Sequence, residues 1–149
     1  HHSNINDRHL RFLTMKTSTF WRNLYGSYVT DLFSDVVESV MNNLISAVKD
    51  DNKKDYRKQS YKKLIEQLEI LSQDSKEDKL NIYVCGALSK SKRKDFIFFI
   101  EELIEEVSEN SDLNVELSFY AVYHPGYQNL KKLIQGGCEK IVEHSMKVK

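Results

Sequence analysis

The feature that most constrains this chain is a run of apolar doublets recurring every four residues. From Phe20 they are Phe20-Trp21, Leu24-Tyr25, Tyr28-Val29, Leu32-Phe33, Val36-Val37, Val40-Met41 and Leu44-Ile45. A four-residue period excludes a strand, whose faces alternate every two residues, and predicts a helix. An α-helix turns every 3.6 residues, so each doublet lies about 40° further around the axis than the last. A continuous helix over 19–48, capped by Ser18 or Thr19, would be about 45 Å long. No single neighbour covers so winding a stripe. Either the helix breaks near Gly26 or Asn42-Asn43, or different partners bury its two ends. A mid-helix glycine costs only about 1 kcal/mol, so the second arrangement is expected. Phe20, Trp21, Leu24, Tyr25, Tyr28, Val29, Leu32 and Phe33 then form a partner-facing apolar surface.

Asp50-Asp51-Asn52 predicts a turn, and a second helix follows from about Asp55 to Gln73. Its apolar face is Tyr61, Leu64, Ile65, Leu68 and Leu71. The first part is basic and polar, which turns it toward solvent or a partner. The stretch Gln73–Lys79 holds no apolar residue. The expected organisation is therefore an arm at 1–18, a two-helix extension at 19–73, a linker at 74–79 and a domain at 80–149.

Beyond the linker the pattern changes. Leu80–Cys85 reads as a buried strand, and Gly86-Ala87-Leu88 as its tight exit. Ser89 or Ser91 suits the cap of a helix to about Val107, with Phe96, Phe99, Ile100, Leu103, Ile104 and Val107 on one face. After a loop at 108–112, Leu113, Val115, Leu117, Phe119 and Ala121 alternate with Asn114, Glu116, Ser118 and Tyr120, the mark of a strand with one polar side. Tyr127, Leu130, Leu133 and Ile134 have helical spacing; a hairpin arm closed by Gly136-Gly137 is the alternative. A strand from Cys138 to Val148 completes a β-α-β-(α or β)-β order, so the fold class is an α/β sandwich behind a long helical extension.

Composition excludes several classes. The 149 residues carry 22 Lys+Arg against 22 Asp+Glu, and no apolar run approaches a membrane-spanning length, so the chain is not membrane-spanning. Zero net charge argues against free-standing nucleic-acid binding. Yet the charges are sorted. Between Lys49 and Lys63 seven basic residues face three acids; Lys90, Lys92, Arg93 and Lys94 form a second cluster; Asp95–Asn129 holds eight acids and no Lys or Arg. The second cluster opens a helix, where the macrodipole favours acids. A placement opposed to local stability points to an external anion, so Lys90, Lys92, Arg93 and Lys94, with Lys53, Lys54, Arg57 and Lys58, are the expected contacts to RNA phosphates or an acidic partner.

Candidate chemistry is otherwise sparse. There is no Gly-rich phosphate loop and no HExxH, GxSxG or metal-spaced Cys/His group, so no cofactor, metal or small-molecule substrate is expected. His124 reads as a turn residue before Pro125. Cys85 has Leu88, not a second cysteine, three residues on; it reads as a small core residue, and thiol-redox catalysis is rejected. Cys85 and Cys138 could still form one disulfide. Glu101, Glu102, Glu105, Glu106 and Glu109 read as a solvated face. Few acids precede Asp31, against Arg8, Arg11, Lys16 and Arg22, which has the flavour of a mitochondrial targeting region; a cytoplasmic location is the alternative. The His1-His2-Ser3 start suits a tag remnant or an internal end.

The strand ending in Cys85, the Gly/Ser turn, the helix opening Arg93-Lys94-Asp95-Phe96, the acidic and Asn-containing loop, the alternating strand, His124-Pro125 and a later Gly before the last strand come in a telling order. Residues 80–148 thereby resemble the thioredoxin-like domain shared by mitochondrial ribosomal proteins and a small accessory subunit of respiratory complex I. His124-Pro125 leans toward the ribosomal members. The resemblance implies a thioredoxin-like fold and a non-catalytic structural subunit of a mitochondrial assembly, with other protein subunits and rRNA phosphates as partners. A subunit of complex I or another inner-membrane respiratory assembly is the alternative, and a chelatase-like enzyme a remoter one. The family pattern implies a strand at 127–135, where periodicity favours a helix.

Overall fold

The computed structural model describes residues 32–33, 41–75, 78–124 and 129–144. The elements are α1 (Met41–Lys49), a 3-10 turn (Asp51–Lys53), α2 (Lys54–Ser75), β1 (Lys79–Cys85), α3 (Lys90–Asn110), β2 (Glu116–Val122), α4 (Leu130–Gln135) and β3 (Cys138–His144). The protein is thus a mixed α/β fold. Its sheet has the order β1-β2-β3, with β1 and β2 parallel and β2 and β3 antiparallel. Among the described residues no helix is long and apolar enough to cross a membrane.

The helical extension departs from its expected course. Leu32 and Phe33 lie in a turn, so the chain is not one continuous helix over 19–48, and Asn42-Asn43 sits within α1 rather than at a break. From this turn the ring of Phe33 enters an aromatic cluster. It meets Phe99 edge-on at 5.1 Å and lies 6.1 and 6.2 Å from Tyr56 and Tyr61. Phe33 is buried, and Leu32 packs against the same core. These two residues, expected to face a partner, face their own chain. The other doublets before Val40 and the expected cap at 18–19 lie outside the described residues.

Asp50 opens the 3-10 turn, its side chain accepting from the Asn52 N–H at 2.9 Å. α2 then buries Tyr61, Ile65 and Leu68 at the predicted helical spacing. α3 buries Phe99, Ile100, Leu103 and Val107 and runs through Ser108–Asn110, in place of the loop expected from 108 onward. One hydrophobic core joins Ile45, Val48, Tyr61, Ile65 and Leu68 to α3 and to Leu117 and Phe119 of β2. The segment 74–79, expected to link an extension to a domain, connects two parts of that core.

β2 is the central strand, and its burial shows it. Leu113, Val115, Leu117, Phe119 and Ala121 face the core as predicted, but Ser118 on the other side is also fully buried. Its hydroxyl has no hydrogen-bond partner among the described residues. Tyr120 stacks on Tyr83 of β1 with ring centroids 5.4 Å apart. β1 is an edge strand, which is why Cys85, expected in the core, is exposed. Leu130–Gln135 is helical, so periodicity prevails there over the family pattern. Gly136, at φ 74°, ends α4 instead of closing a hairpin: its N–H donates to the Lys132 and Leu133 carbonyls.

Phe33 anchors the N-terminal part of the core. Phe33→Ala is expected to lower unfolding free energy by about 3 kcal/mol, measured by urea denaturation followed by circular dichroism.

Candidate functional site

Two basic clusters were expected to meet a partner, and folding divides each into cations that are committed internally and cations that are not. In the first, Arg57 is only 2% exposed. Its Nε donates to Glu102 Oε1 at 2.8 Å and its Nη2 to Oε2 at 3.1 Å, a two-pronged pair. Its Nη1 donates to the carbonyls of Val48 at 2.9 Å and Asp50 at 2.7 Å. The Val48 carbonyl lies in the last turn of α1, where backbone acceptors lack helical partners, and the Asp50 carbonyl opens the 3-10 turn and also accepts the Lys53 N–H at 2.9 Å. Tyr61, one turn on from Arg57, donates its hydroxyl to Glu102 Oε1 at 2.7 Å. Arg57 is therefore corrected from a partner contact to a buried link between α1, α2 and α3. Lys53, Lys54 and Lys58 remain exposed.

The titration behaviour follows from this geometry. Burial alone would raise the Glu102 carboxyl, but hydrogen bonds from Arg57 and Tyr61 and the Arg57 charge outweigh it and hold the group below the ordinary value. The bond to Glu102 raises Arg57 against the opposing effect of burial. Burial, then the bond to Glu102, pushes the Tyr61 phenol up. Beside this network Lys49 pairs with Asp95, and the Phe98 ring has Lys49 Nζ 5.5 Å and the Arg57 guanidinium 5.4 Å from its centroid.

The second cluster opens α3. Arg93 is committed: its Nη1 and Nη2 reach Glu139 of β3 at 3.0 and 2.9 Å, and Nη2 also donates to the Leu88 carbonyl at 3.2 Å. It therefore ties the exit of β1 to β3 and is not an open cation. Lys90 and Lys94 are exposed and Lys92 half-buried. With Arg93 and Ile97, Lys90 and Lys94 line a surface depression open to solvent. No acid lies in the first turn of α3, and the side chain of the N-cap residue Ser89 caps no backbone N–H.

The remaining candidates do not converge. In the sheet register Cys85 lies opposite Val122, which lies opposite Cys138. Two strand spacings are about 10 Å, beyond the roughly 7 Å limit between Cα atoms for a disulfide. Burial raises the Cys138 thiol and so disfavours its thiolate. His124, half-buried just after β2, belongs to no metal-ligating cluster among the described residues. Of the expected solvated glutamates, Glu101, Glu105 and Glu109 are exposed. Glu102 is bonded as above, and Glu106 is 6% exposed and accepts from Asn110 Nδ2 at 3.1 Å. The signal for both was in the spacing: Phe99, Glu102, Leu103 and Glu106 follow i, i+3, i+4, i+7.

No protein-family model, no curated protein and no solved structure matches this chain.

Removing one partner of the buried pair strands the other. Arg57→Ala is expected to cost about 3–5 kcal/mol, and the double variant Arg57→Met/Glu102→Leu less than the single ones summed, in denaturant titrations. Glu102 titrates lower when folded than when unfolded. Its contribution is thus present above the ordinary carboxylate value of about 4.5 and lost as pH falls through the lower folded value. Glu102→Gln should therefore flatten the acid limb of the stability profile.

Proposed function

We propose that this protein is a non-catalytic structural subunit of a large mitochondrial assembly, with the ribosome the assembly best suited to it. The observation that carries the reading is the set of lysines left exposed once the arginines are committed. Lys53, Lys54 and Lys58 lie around the start of α2, and Lys90 and Lys94 in the opening turns of α3. At α3 the macrodipole opposes them and no first-turn acid offsets them. An anionic partner would supply the missing charge at this helix opening. The resemblance of residues 80–148 to the thioredoxin-like domain of mitochondrial ribosomal proteins supports rRNA phosphate as that anion, with neighbouring proteins as further partners.

Native fractionation of mitochondria from the source cells tests this. Co-migration with ribosomes, lost in rising salt, is the expected result. Replacing Lys53, Lys54 and Lys58 by Glu should weaken attachment and reduce the log–log salt slope by about 2 for three lost phosphate contacts. Co-migration with the respiratory complex would assign the lysines to acidic protein instead, and migration with neither would overturn the reading.

A further inference from the structure

The two edges of the sheet are built differently. β3 carries Glu139, Lys140 and Glu143, and its register with β2 shifts at Phe119/Tyr120. Charges and irregularities of this kind discourage pairing with another chain. β1 opens with one charge, Lys79, but from Leu80 to Cys85 the segment Leu-Asn-Ile-Tyr-Val-Cys contains no charge and no proline, and its register with β2 is unbroken. The Glu116 N–H donates to the Asp78 carbonyl at 2.8 Å, and the Gly86 N–H to the Val122 carbonyl at 2.9 Å. In a parallel ladder a residue turns both backbone groups to one neighbour, and the next residue turns both away. Leu80, Ile82 and Val84 therefore address β2, while Lys79, Asn81 and Tyr83 present their N–H and C=O groups outward. Among the described residues no strand pairs with that outer edge.

We propose that this edge joins a second copy of the chain, β1 against β1 in antiparallel register about a two-fold axis at Ile82. Asn81 then bonds to the copy's Tyr83, and Tyr83 to the copy's Asn81. On the core side Leu80 faces Val84, Ile82 faces Ile82, and Val84 faces Leu80, so every such pair is apolar and no like charges oppose. Charge favours a second copy as the occupant. Glu69, Asp78 and Asp112 line a depression at the amino end of the parallel strands, where with Glu116 they outnumber the one cation on β1, Lys79. Lys90 and Lys94 flank the opposite end. An antiparallel junction sets the acidic end of each copy beside the basic end of the other, twice by symmetry; a parallel one would set like beside like. A second copy and an anionic partner compete for Lys90 and Lys94, but Asn81 belongs to neither lysine cluster, so the junction is tested separately from the anionic contact at Lys53, Lys54 and Lys58.

Sedimentation velocity of the full chain up to about 100 μM tests the junction, since a micromolar dimer is saturated there. The unmodified chain should sediment as a dimer, and about 1 M salt, with a Debye length near 3 Å, should weaken it. Asn81→Pro removes an outward N–H and spares the ladder to β2, so it should give a monomer with an unchanged circular dichroism spectrum. Asn81→Lys, which adds a charge to the edge without touching the backbone, should weaken association at least tenfold. A chain that stays monomeric at the highest concentration, or an Asn81→Lys variant that dimerises as tightly as the unmodified chain, would overturn the proposal.

Discussion

The guanidinium of Arg57 is the interaction on which the helical layer depends. Belonging to α2, it bonds the Val48 carbonyl of α1, the Asp50 carbonyl that opens the 3-10 turn and the Glu102 carboxylate of α3. Apolar packing of Phe33, Tyr61, Ile65 and Phe99 supplies the non-directional attraction between these helices. The planar fork adds direction, because two parallel bonds to one carboxylate admit a narrow range of helix placements. Its Nη1 takes the Val48 carbonyl at the end of α1 and the Asp50 carbonyl just beyond it, which fixes the guanidinium across the chain reversal there. The desolvation of a buried cation opposes this arrangement, and Glu102, the two carbonyls and the Tyr61 hydroxyl offset it together.

That commitment changes what the zero net charge means. Sequence neutrality balances acids against bases without regard to place. In the folded chain Arg57 and Glu102 neutralise each other inside, Arg93 and Glu139 at the sheet edge, and Lys49 and Asp95 between α1 and α3. The surface that remains is divided, with lysines near the starts of α2 and α3 and acids at the amino end of the sheet and along the outer side of α3. A neutral chain can thus carry strong local fields of both signs, which govern orientation on a partner more than overall attraction to it.

What the sequence disclosed follows from the range of the forces involved. Periodicity located α2, α3 and β2 because each buries one face, and alternation or helical spacing records that face directly; β1 was legible from its β-branched and aromatic residues instead. Periodicity also resolved the segment before Gly136 in favour of a helix, against the strand implied by resemblance. It failed where a residue's fate depends on a partner far along the chain. Arg57 and Glu102 are 45 residues apart, and each alone looks like a surface charge. Cys85 ends an apolar strand, but whether that strand lies at the centre or the edge is set by pairing among three strands. Ser118 alternates as a polar residue should and is nevertheless buried, because the central strand is covered on both sides. Of the candidate contacts, Lys53, Lys54, Lys58, Lys90 and Lys94 stay exposed while both arginines are bonded within the chain, since a guanidinium finds internal acceptors more readily than a strongly hydrated ammonium.

Arg93 has a mechanical consequence. β1 and β3 share no backbone bond, yet this side chain holds the Leu88 carbonyl after β1 and the Glu139 carboxylate within β3, reaching past β2 from the helix that connects β1 to β2. With Glu139 half exposed, the ion pair itself is worth at most about 1 kcal/mol. Its effect is on which parts open together. Peeling β3 from the sheet also breaks this link to the first turn of α3 and the exit of β1, so the opening of β3 is coupled to those segments by no more than that small energy.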